Sequence, residues 1–412
     1  MKFGLLGEKL GHSFSPDIHK RLLTSDYVLK EVPRDGLDDF LKKRDFSAIN
    51  VTIPYKQAVI PYLHYISDKA REIGAVNVVV NKDGLLYGYN TDFFGLKGLV
   101  QRVAGDLTGK KVLILGSGGT SRTALAVSKD MGAARIHRAG RTGKDGSVTY
   151  EYAYEHLWDT EVIINTTPVG MYPDTDSCPV DISRFKNLSA VVDVIFNPLC
   201  TNLVINAREM GIPAEGGLYM LVAQAVAASE LFISHQYPAE TVEKIYKDIL
   251  LSKKNIVLTG MPASGKSTVG RILAEKTGRD FYDLDSEIVS SSGMEITEIF
   301  EKYGEKHFRD LESESAKRIS ALSGVVISCG GGTVLRKENV DALKRNGVIF
   351  FIDRPLEQLV PTTDRPLALN ADAIKKRYDE RIDTYISTCD FRVPVKGDAV
   401  SVAEEIGKDF FK

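Results

Sequence analysis

Cysteine is scarce in this chain. Its 412 residues hold four, Cys178, Cys200, Cys329 and Cys389, with no two spaced C-x-x-C. That excludes a zinc ribbon or a disulfide framework as the organising device. An excess of positive charge is missing too: 53 lysines and arginines stand against 55 acids, for a net charge of −2. A surface dedicated to nucleic acid wants a basic excess, so no nucleic-acid partner is expected. No apolar run approaches membrane-spanning length, and no membrane partner is expected either. The opening MKFGLLGEKLGHS has too short an apolar run for a signal sequence, so a cytoplasmic setting is expected. Repeats and low-complexity tracts are absent. What remains is ordinary globular composition, 43% apolar and 26% charged, over a length that predicts two or three domains.

One stretch divides the chain. Ile256 to Gly270 reads IVLTGMPASGKSTVG, a short buried strand, the pattern G-x-x-x-x-G-K-[ST], then a helical pattern from Val269. That is the context a phosphate-cradling loop requires. Its glycines let backbone N–H groups converge on phosphate oxygens, Lys266 adds a point charge, and Ser267 is placed to hold Mg²⁺. The expected ATP contacts are Gly260, Ala263, Ser264, Gly265, Lys266, Ser267 and Thr268. Such a loop normally opens its domain, so about 250 residues precede that domain, room for another whole unit.

Strand-like and helix-like segments alternate throughout, which predicts α/β architecture with mostly parallel sheets. Strands are expected at Phe3–Leu6, Tyr27–Glu31, Ala48–Thr52, Asn77–Val80 and Leu85–Tyr89, with helices at Pro16–Leu23 and Leu37–Lys43. A second unit opens with KVLILGSGG at Lys111, and AVVDVIF at 190–196 reads as one of its strands. Helical patterns at Leu203–Met210, Met220–Ser234 and Thr241–Leu251 lead up to the P-loop strand.

In GSGGTSR, Gly116, Gly118 and Gly119 follow a strand and open a helix, as a dinucleotide-binding turn does; a purely structural turn is the alternative. Ser121 takes the place of the third glycine of G-x-G-x-x-G. About 20 residues on, an NAD site would place an acid against the ribose 2′-hydroxyl. Here the chain reads RIHRAGRTGK, with Arg138, Arg141 and Lys144 and no acid before Asp145. Cations there suit a 2′-phosphate and favour NADP, the alternative being a solvated basic turn.

Three polar clusters stand out in the first hundred residues. GHSFSP carries Ser13 and Ser15; NVTIPYK carries Asn50, Thr52 and Lys56 at a strand end running into a helix; GAVN and NTDFFG add Asn77, Asn90 and Asp92. Singly, each reads as capping or turn chemistry. Together they suit a small polyhydroxylated carboxylate. With NTTPVGM at 165–171 and GLYMLVAQA containing Gln224, residues 1 to about 250 resemble shikimate dehydrogenase. The resemblance implies NADPH-dependent reduction of 3-dehydroshikimate to shikimate. Ser13 and Ser15 would bind the carboxylate; Thr52, Asn77, Asp92 and Gln224 the hydroxyl side; Lys56 and Asp92 would be the catalytic pair. NADP would contact Gly116, Ser117, Gly118, Gly119, Arg138, Arg141, Thr142, Lys144 and Gly217. The chemistry agrees, since reduction of a ketone leaves charge on oxygen that needs a nearby proton donor. Two departures are visible: Phe196 stands where the family commonly has tyrosine, and Asp145 where a second arginine can occur.

Beyond the P-loop, FYDLDSEI gives Asp283 and Asp285, GEKHFRDLE puts Arg309 on a helix, and VVISCGGG carries Gly330, Gly331 and Gly332 after a strand. DRPL holds Arg365 and RYDERIDTY holds Arg381. This set, over about residues 254–412, resembles shikimate kinase. The resemblance implies that Arg309 and Arg381 clamp the shikimate carboxylate while Gly331 and Gly332 approach the ring. Asp285 would receive the hydroxyl proton. Asp283, directly or through water, would assist Ser267 in holding Mg²⁺. Lys266 and Arg365 would act on the phosphates, Arg365 from a lid. A planar guanidinium fork suits a carboxylate clamp. His307 reads as non-catalytic. The lid departs from its family, with only five residues between Leu359 and Arg365.

Together the resemblances imply three domains: a substrate-binding domain over 1–100 with closing helices from about 218–250, a Rossmann-like NADP domain over 101–217, and a P-loop kinase domain over 254–412. One unit would create the 3-hydroxyl that the other phosphorylates. A quinate/shikimate dehydrogenase using NAD is the rival enzyme, opposed by the basic Arg138–Lys144 segment. A non-catalytic sensor is the rival of another class, opposed by the presence of Lys56, Asp92, Lys266 and Asp285.

Overall fold

The structure, a computed structural model, describes residues 1–11, 14–359 and 371–412. The chain divides into two compact units, Met1–Ile249 and Leu250–Lys412.

The first unit holds two six-stranded sheets. One is built from β1 (Phe3–Gly7), β2 (Tyr27–Glu31), β3 (Ala48–Val51), β4 (Tyr65–Ile66), β5 (Val78–Lys82) and β6 (Leu85–Tyr89), in the order β2-β1-β3-β5-β6-β4. Strand β5 runs antiparallel to both neighbours. The reversal is local chemistry: Lys82 pairs with Leu85, and Asp83 and Gly84 between them both have positive φ, 51° and 83°. That is the two-residue hairpin turn that Asp-Gly favours.

The second sheet comprises β7 (Lys111–Leu115), β8 (Arg135–Gly140), β9 (Val148–Thr149), β10 (Val162–Asn165), β11 (Ala190–Asp193) and β12 (Ala214–Glu215). All pair in parallel, in the order β12-β11-β10-β7-β8-β9. This is the doubly wound arrangement, whose order reverses between β7 and β10 and opens a crevice at their C-terminal ends. Two helices, Asp92–Ala104 and Leu218–Ile233, pack together and carry Asp92 and Gln224 to the cavity that Lys56 also lines. A Cβ on Gly95 would stand 2.6 Å from the Met220 carbonyl oxygen and 3.0 Å from Gln224 Cβ. Glycine at 95 is therefore what lets the helices approach.

The second unit is a five-stranded parallel sheet: β13 (Asn255–Thr259), β14 (Phe281–Asp283), β15 (Val326–Ser328), β16 (Gly347–Asp353) and β17 (Phe391–Pro394). The order is β14-β15-β13-β16-β17, which puts the P-loop strand at the centre. Alternation along β13 sends Val257 to one core and Ile256 and Leu258 to the other, as burial on both faces requires.

Two local expectations are corrected. NVTIPYK does not run into a helix: residues 53–59 form turns, followed by a short 3₁₀ segment at Ile60–Tyr62. Pro54 restrains Ile53 from the helical region. The strand expected over 190–196 ends at Asp193, because its carboxylate accepts from the Ile195 amide at 3.0 Å and turns the chain.

Candidate active sites

The first cavity, about 430 Å³, is lined from both sheets of the first unit, by Asn50, Thr52, Lys56, Asn77, Asp92 and Gln224 among others. Asp92 opens its helix directly after the buried Asn90–Thr91 pair. Lys56 Nζ donates to Asp92 Oδ2 at 2.6 Å. Asn77 Nδ2 donates to Asp92 Oδ1 at 2.9 Å and Thr91 Oγ1 at 3.0 Å, and lies 3.5 Å from Gln224 Oε1. The Thr91 amide donates back to Asn77 Oδ1 at 2.7 Å. Gln224 Nε2 is anchored on the Leu221 carbonyl at 2.8 Å. The ammonium, carboxylate and two amides are thus fixed mutually before any substrate arrives, which reduces the ordering cost of binding.

Ser15 and Gly217 line the same cavity; Ser13 lies outside the described residues. Phe196 lines it too and packs its ring 5.4 Å from that of Phe14, so an apolar face stands where a tyrosine would bring a hydroxyl. Sequence reasoning noted Asn50 without assigning it to the site. Its Oδ1 accepts from Tyr27 OH at 2.7 Å, and its side chain lines the cavity. Behind it His19 is buried, stacks 3.9 Å from Tyr27, and is pushed down to about 3 by burial. It stays neutral. Lys9 also reaches the cavity and was missed, because a lone lysine has no pattern.

The GSGGTSR turn occupies the crevice at the end of β7. Gly116 has φ +110°, and a Cβ there would meet Thr166 Oγ1 at 2.8 Å. Cβ positions at Gly118 and Gly119 face open space, and the helix Gly119–Asp130 starts there without a side-chain cap. Uncapped first-turn amides beside glycines fit a pyrophosphate. Ser121 suits the third-glycine position because it is fully buried and its Oγ donates to the Gly118 carbonyl at 2.6 Å. At the end of β8, Arg138 donates to the backbone carbonyl of Asp145. Asp145 therefore orients an arginine through its main chain. Arg141, Thr142 and Lys144 are exposed along the same turn, a donor set that fits a phosphate.

In the second unit the P-loop adopts positive φ at Gly260 (146°), Ala263 (62°) and Gly265 (95°). Lys266 Nζ donates to the carbonyls of Gly260 at 3.1 Å and Met261 at 2.8 Å. Ser267 Oγ donates to Asp283 Oδ2 at 2.6 Å and lies 3.3 Å from Ser328 Oγ. Asp283 Oδ1 caps the next helix through the amides of Asp285 and Ser286. Hydroxyl and carboxylate oxygens with solvent access fit Mg²⁺, which takes few protein ligands and keeps waters. Among the described residues no cluster of three or more His, Cys, Asp or Glu could hold a metal.

Across the site, Cβ atoms on Gly330 would stand 2.6 Å from Glu312 Oε1 and 2.8 Å from Asp285 Oδ1, and one on Gly332 2.1 Å from Arg309 Nη1. Arg381 Nη1 and Tyr385 OH both donate to the Gly331 carbonyl, at 2.9 and 2.5 Å. The glycine run is therefore hemmed by the expected base and both expected carboxylate-binding arginines. Glu312, 1% exposed, was missed. It accepts from Arg309 at 2.7 Å and Thr333 Oγ1 at 2.7 Å. Its i,i+3 spacing from Arg309 was the available signal, as i,i+4 was for Tyr385 from Arg381. Burial pushes the Tyr385 hydroxyl up to about 12, so it remains a donor. Burial likewise raises the Cys329 thiol and removes it as a nucleophile. Arg365 and the lid around it lie outside the described residues.

Comparisons with known proteins follow the same division. Residues 5–79 match the shikimate dehydrogenase substrate binding domain, and residues 262–410 match shikimate kinase. The shikimate dehydrogenase (NADP(+)) of Clostridium perfringens is 37% identical over 264 residues, covering 60% of this chain and 97% of that one. Among solved structures, a chorismate mutase/shikimate 5-dehydrogenase fusion protein from Clostridium acetobutylicum is similar with a TM-score of 0.57 and 36% identity, covering 60% of this chain and 96% of that one. Shikimate 5-dehydrogenase from Thermus thermophilus, in complex with NADP(H) and shikimate, gives 0.54 and 28% over 60% of this chain and 99% of its own. The chain belongs to the shikimate dehydrogenase family and carries a shikimate kinase domain behind it in the same polypeptide.

Proposed function

We propose that this chain catalyses two consecutive reactions: reduction of 3-dehydroshikimate to shikimate by NADPH, and phosphorylation of the shikimate 3-hydroxyl by ATP with Mg²⁺. The observation that carries the reading is the Lys56–Asp92 contact of 2.6 Å inside a cavity shared with Asn77 and Gln224. NADPH, when bound, supplies hydride to the carbonyl carbon. Lys56 stabilises the charge that develops on the carbonyl oxygen and donates the proton, while Asp92 holds the ammonium and a neighbouring hydroxyl. Asn77 and Gln224 orient the ring, with Thr52 beside them. Ser13 and Ser15 bind the carboxylate, and Asn50 stands at the same wall. Gly116, Ser117, Gly118, Gly119 and Gly217 take the cofactor's diphosphate and nicotinamide ends, and Arg138, Arg141, Thr142 and Lys144 the 2′-phosphate.

In the kinase unit, Asp285 accepts the proton of the 3-hydroxyl. Arg309, held by Glu312, and Arg381 fix the carboxylate. Lys266 and the P-loop amides would hold the phosphates, with Ser267 and Asp283 as the metal's protein oxygens and Arg365 as a further cation for the phosphates. The domain limits we propose are 1–100 with closing helices near 218–250, 101–217, and 254–412. The setting is cytoplasmic with small-molecule substrates; among the described residues no helix is long and apolar enough to cross a membrane.

A single assay tests the pair. With 3-dehydroshikimate, NADPH, ATP and Mg²⁺, NADPH oxidation should be followed by stoichiometric ADP release. NADPH oxidation without ADP release would remove the kinase half of the reading, and ADP release only with supplied shikimate would remove the reductase half.

A further inference from the structure

The second unit holds a cation that these roles leave unused. Arg354 follows β16 at the C-terminal end of the sheet, beside the P-loop. Its Nε donates to the Ser264 carbonyl at 3.1 Å, and its Nη1 lies 3.5 Å from Gln358 Oε1. A Cβ on Gly265 would stand 3.4 Å from Arg354 Nη2. The guanidinium therefore lies along the rim of the loop, against the residue that precedes helix Lys266–Thr277. Asp353, its sequence neighbour, does not neutralise it. That carboxylate is taken by Arg392, through Nε at 2.8 Å and Nη2 at 2.7 Å. Among the described residues Arg354 has no carboxylate partner. Its side chain is half-buried, so the charge is held in place yet open to a solute.

Three features turn this cation toward phosphate. Anchoring through Nε leaves the terminal nitrogens of the fork as donors, the geometry that matches a phosphate's paired oxygens. Three of the loop's carbonyls are occupied by cations: Gly260 and Met261 by Lys266, Ser264 by Arg354. Those three oxygens are turned to cations, and the loop offers an anion its amides and an uncapped helix start. Finally, residues 360–370 contain a single cation, Arg365, with Asp364 next to it, whereas phosphoryl transfer requires charge compensation along the whole phosphate chain.

We propose that Arg354 is a nucleotide-binding residue that donates to the phosphate chain of ATP from the rim of the P-loop, a second cation besides Arg365. The proposal rests on the kinase reading of this unit.

Kinetics and binding on the full chain test it. R354Q should raise the ATP KM about 10-fold or more, the worth of a charge-assisted hydrogen bond, with the shikimate KM and the reductase rate unchanged. R354K, which keeps the charge without the fork, should recover part of the loss. Direct binding should show ADP weakened by R354Q and adenosine unaffected. An ATP KM and ADP affinity within twofold of the unmodified chain would overturn the proposal. So would equal weakening of ADP and adenosine, which would assign Arg354 to bracing the loop or to the base. Failure of the kinase reading itself looks different: the unmodified chain would bind ADP and phosphorylate nothing, and the ADP-to-adenosine comparison would still be readable.

Discussion

The two sites are built by different means. In the first unit, chemistry is assembled from side chains on separate stretches: Lys56 from a turn, Asn77 before β5, Asp92 at a helix start and Gln224 on a second helix. Each is held by hydrogen bonds to the others. In the second unit, the centre is one continuous loop whose backbone does the work, with positive φ at three of its residues and its lysine bonded to its own carbonyls. A side-chain assembly depends on long-range packing, here the close approach at Gly95. A backbone cradle depends on local conformation. The first should fail at single side chains far apart in sequence; the second should resist all but changes within its motif and the groups facing it.

Substitutions that separate the halves probe this contrast most strongly. Lys56→Ala should lower reductase turnover about 10³-fold, within the range for losing a positioned proton donor, while kinase activity on supplied shikimate persists. Asp92 keeps its bond from Asn77, so the rest of the site survives. Asp285→Asn should cost the kinase about 10²-fold through loss of its base and leave NADPH oxidation intact. If either change abolished both activities in a folded chain, the separation would be wrong. A smaller effect is expected at Arg141, exposed at the cofactor turn. Arg141→Ala should reduce the preference for NADPH over NADH about 10-fold, the worth of one charge-assisted contact to phosphate. Equal efficiency with both cofactors in the unmodified protein would remove the 2′-phosphate site altogether.

The same contrast explains what could be read from the sequence. The P-loop was legible because its spacing is its structure, and β2 and β6 were placed residue for residue because short β-branched and aromatic runs end at turn signals. The helix Asp92–Ala104 was not anticipated. Its two glycines, Gly95 and Gly98, lower helix propensity, and their reason is tertiary: Gly95 faces the Met220 carbonyl and Gly98 the Tyr219 ring. NTDFFG thus reads as capping or turn chemistry on its own and as polar ligands with its neighbours, which gives the site without the helix that carries it. Glu312 escaped for a similar reason, since a glutamate on a long helix looks solvated until its burial is seen.

The gentlest test acts where no turnover should change. Asp193 ends β11 fully buried, accepting from Thr201 Oγ1 at 2.6 Å, Asn165 Nδ2 at 3.0 Å and the Ile195 amide at 3.0 Å. Burial outweighs these bonds and pushes its carboxyl up from 3.8 to about 6. In the unfolded chain the group ionises near 3.8, so between about pH 4 and 6 the native state binds the extra proton. Its contribution to stability is therefore full below about pH 4, is lost as pH rises through about 6, and is constant above that. His19, pushed down from 6.5 to about 3 by burial, has the opposite slope over much of that window, because there the unfolded chain binds the proton. The two largely cancel in the unmodified protein. Asp193→Asn keeps an oxygen acceptor and a polar partner for Thr201 but removes the titration. The difference in melting temperature between variant and parent should thus grow in the variant's favour from about pH 4 to pH 6 and then level off. A shift of about two pK units corresponds to about 3 kcal/mol at most, the bonds to the carboxylate already included, and fitting an amide where the carboxyl sat offsets part of it. A net gain of about 1 kcal/mol, or roughly 2–4 °C for a unit of this size, is expected above the transition. A difference that stayed flat across the range would mean that Asp193 is ionised throughout, and that its three donors outweigh its burial.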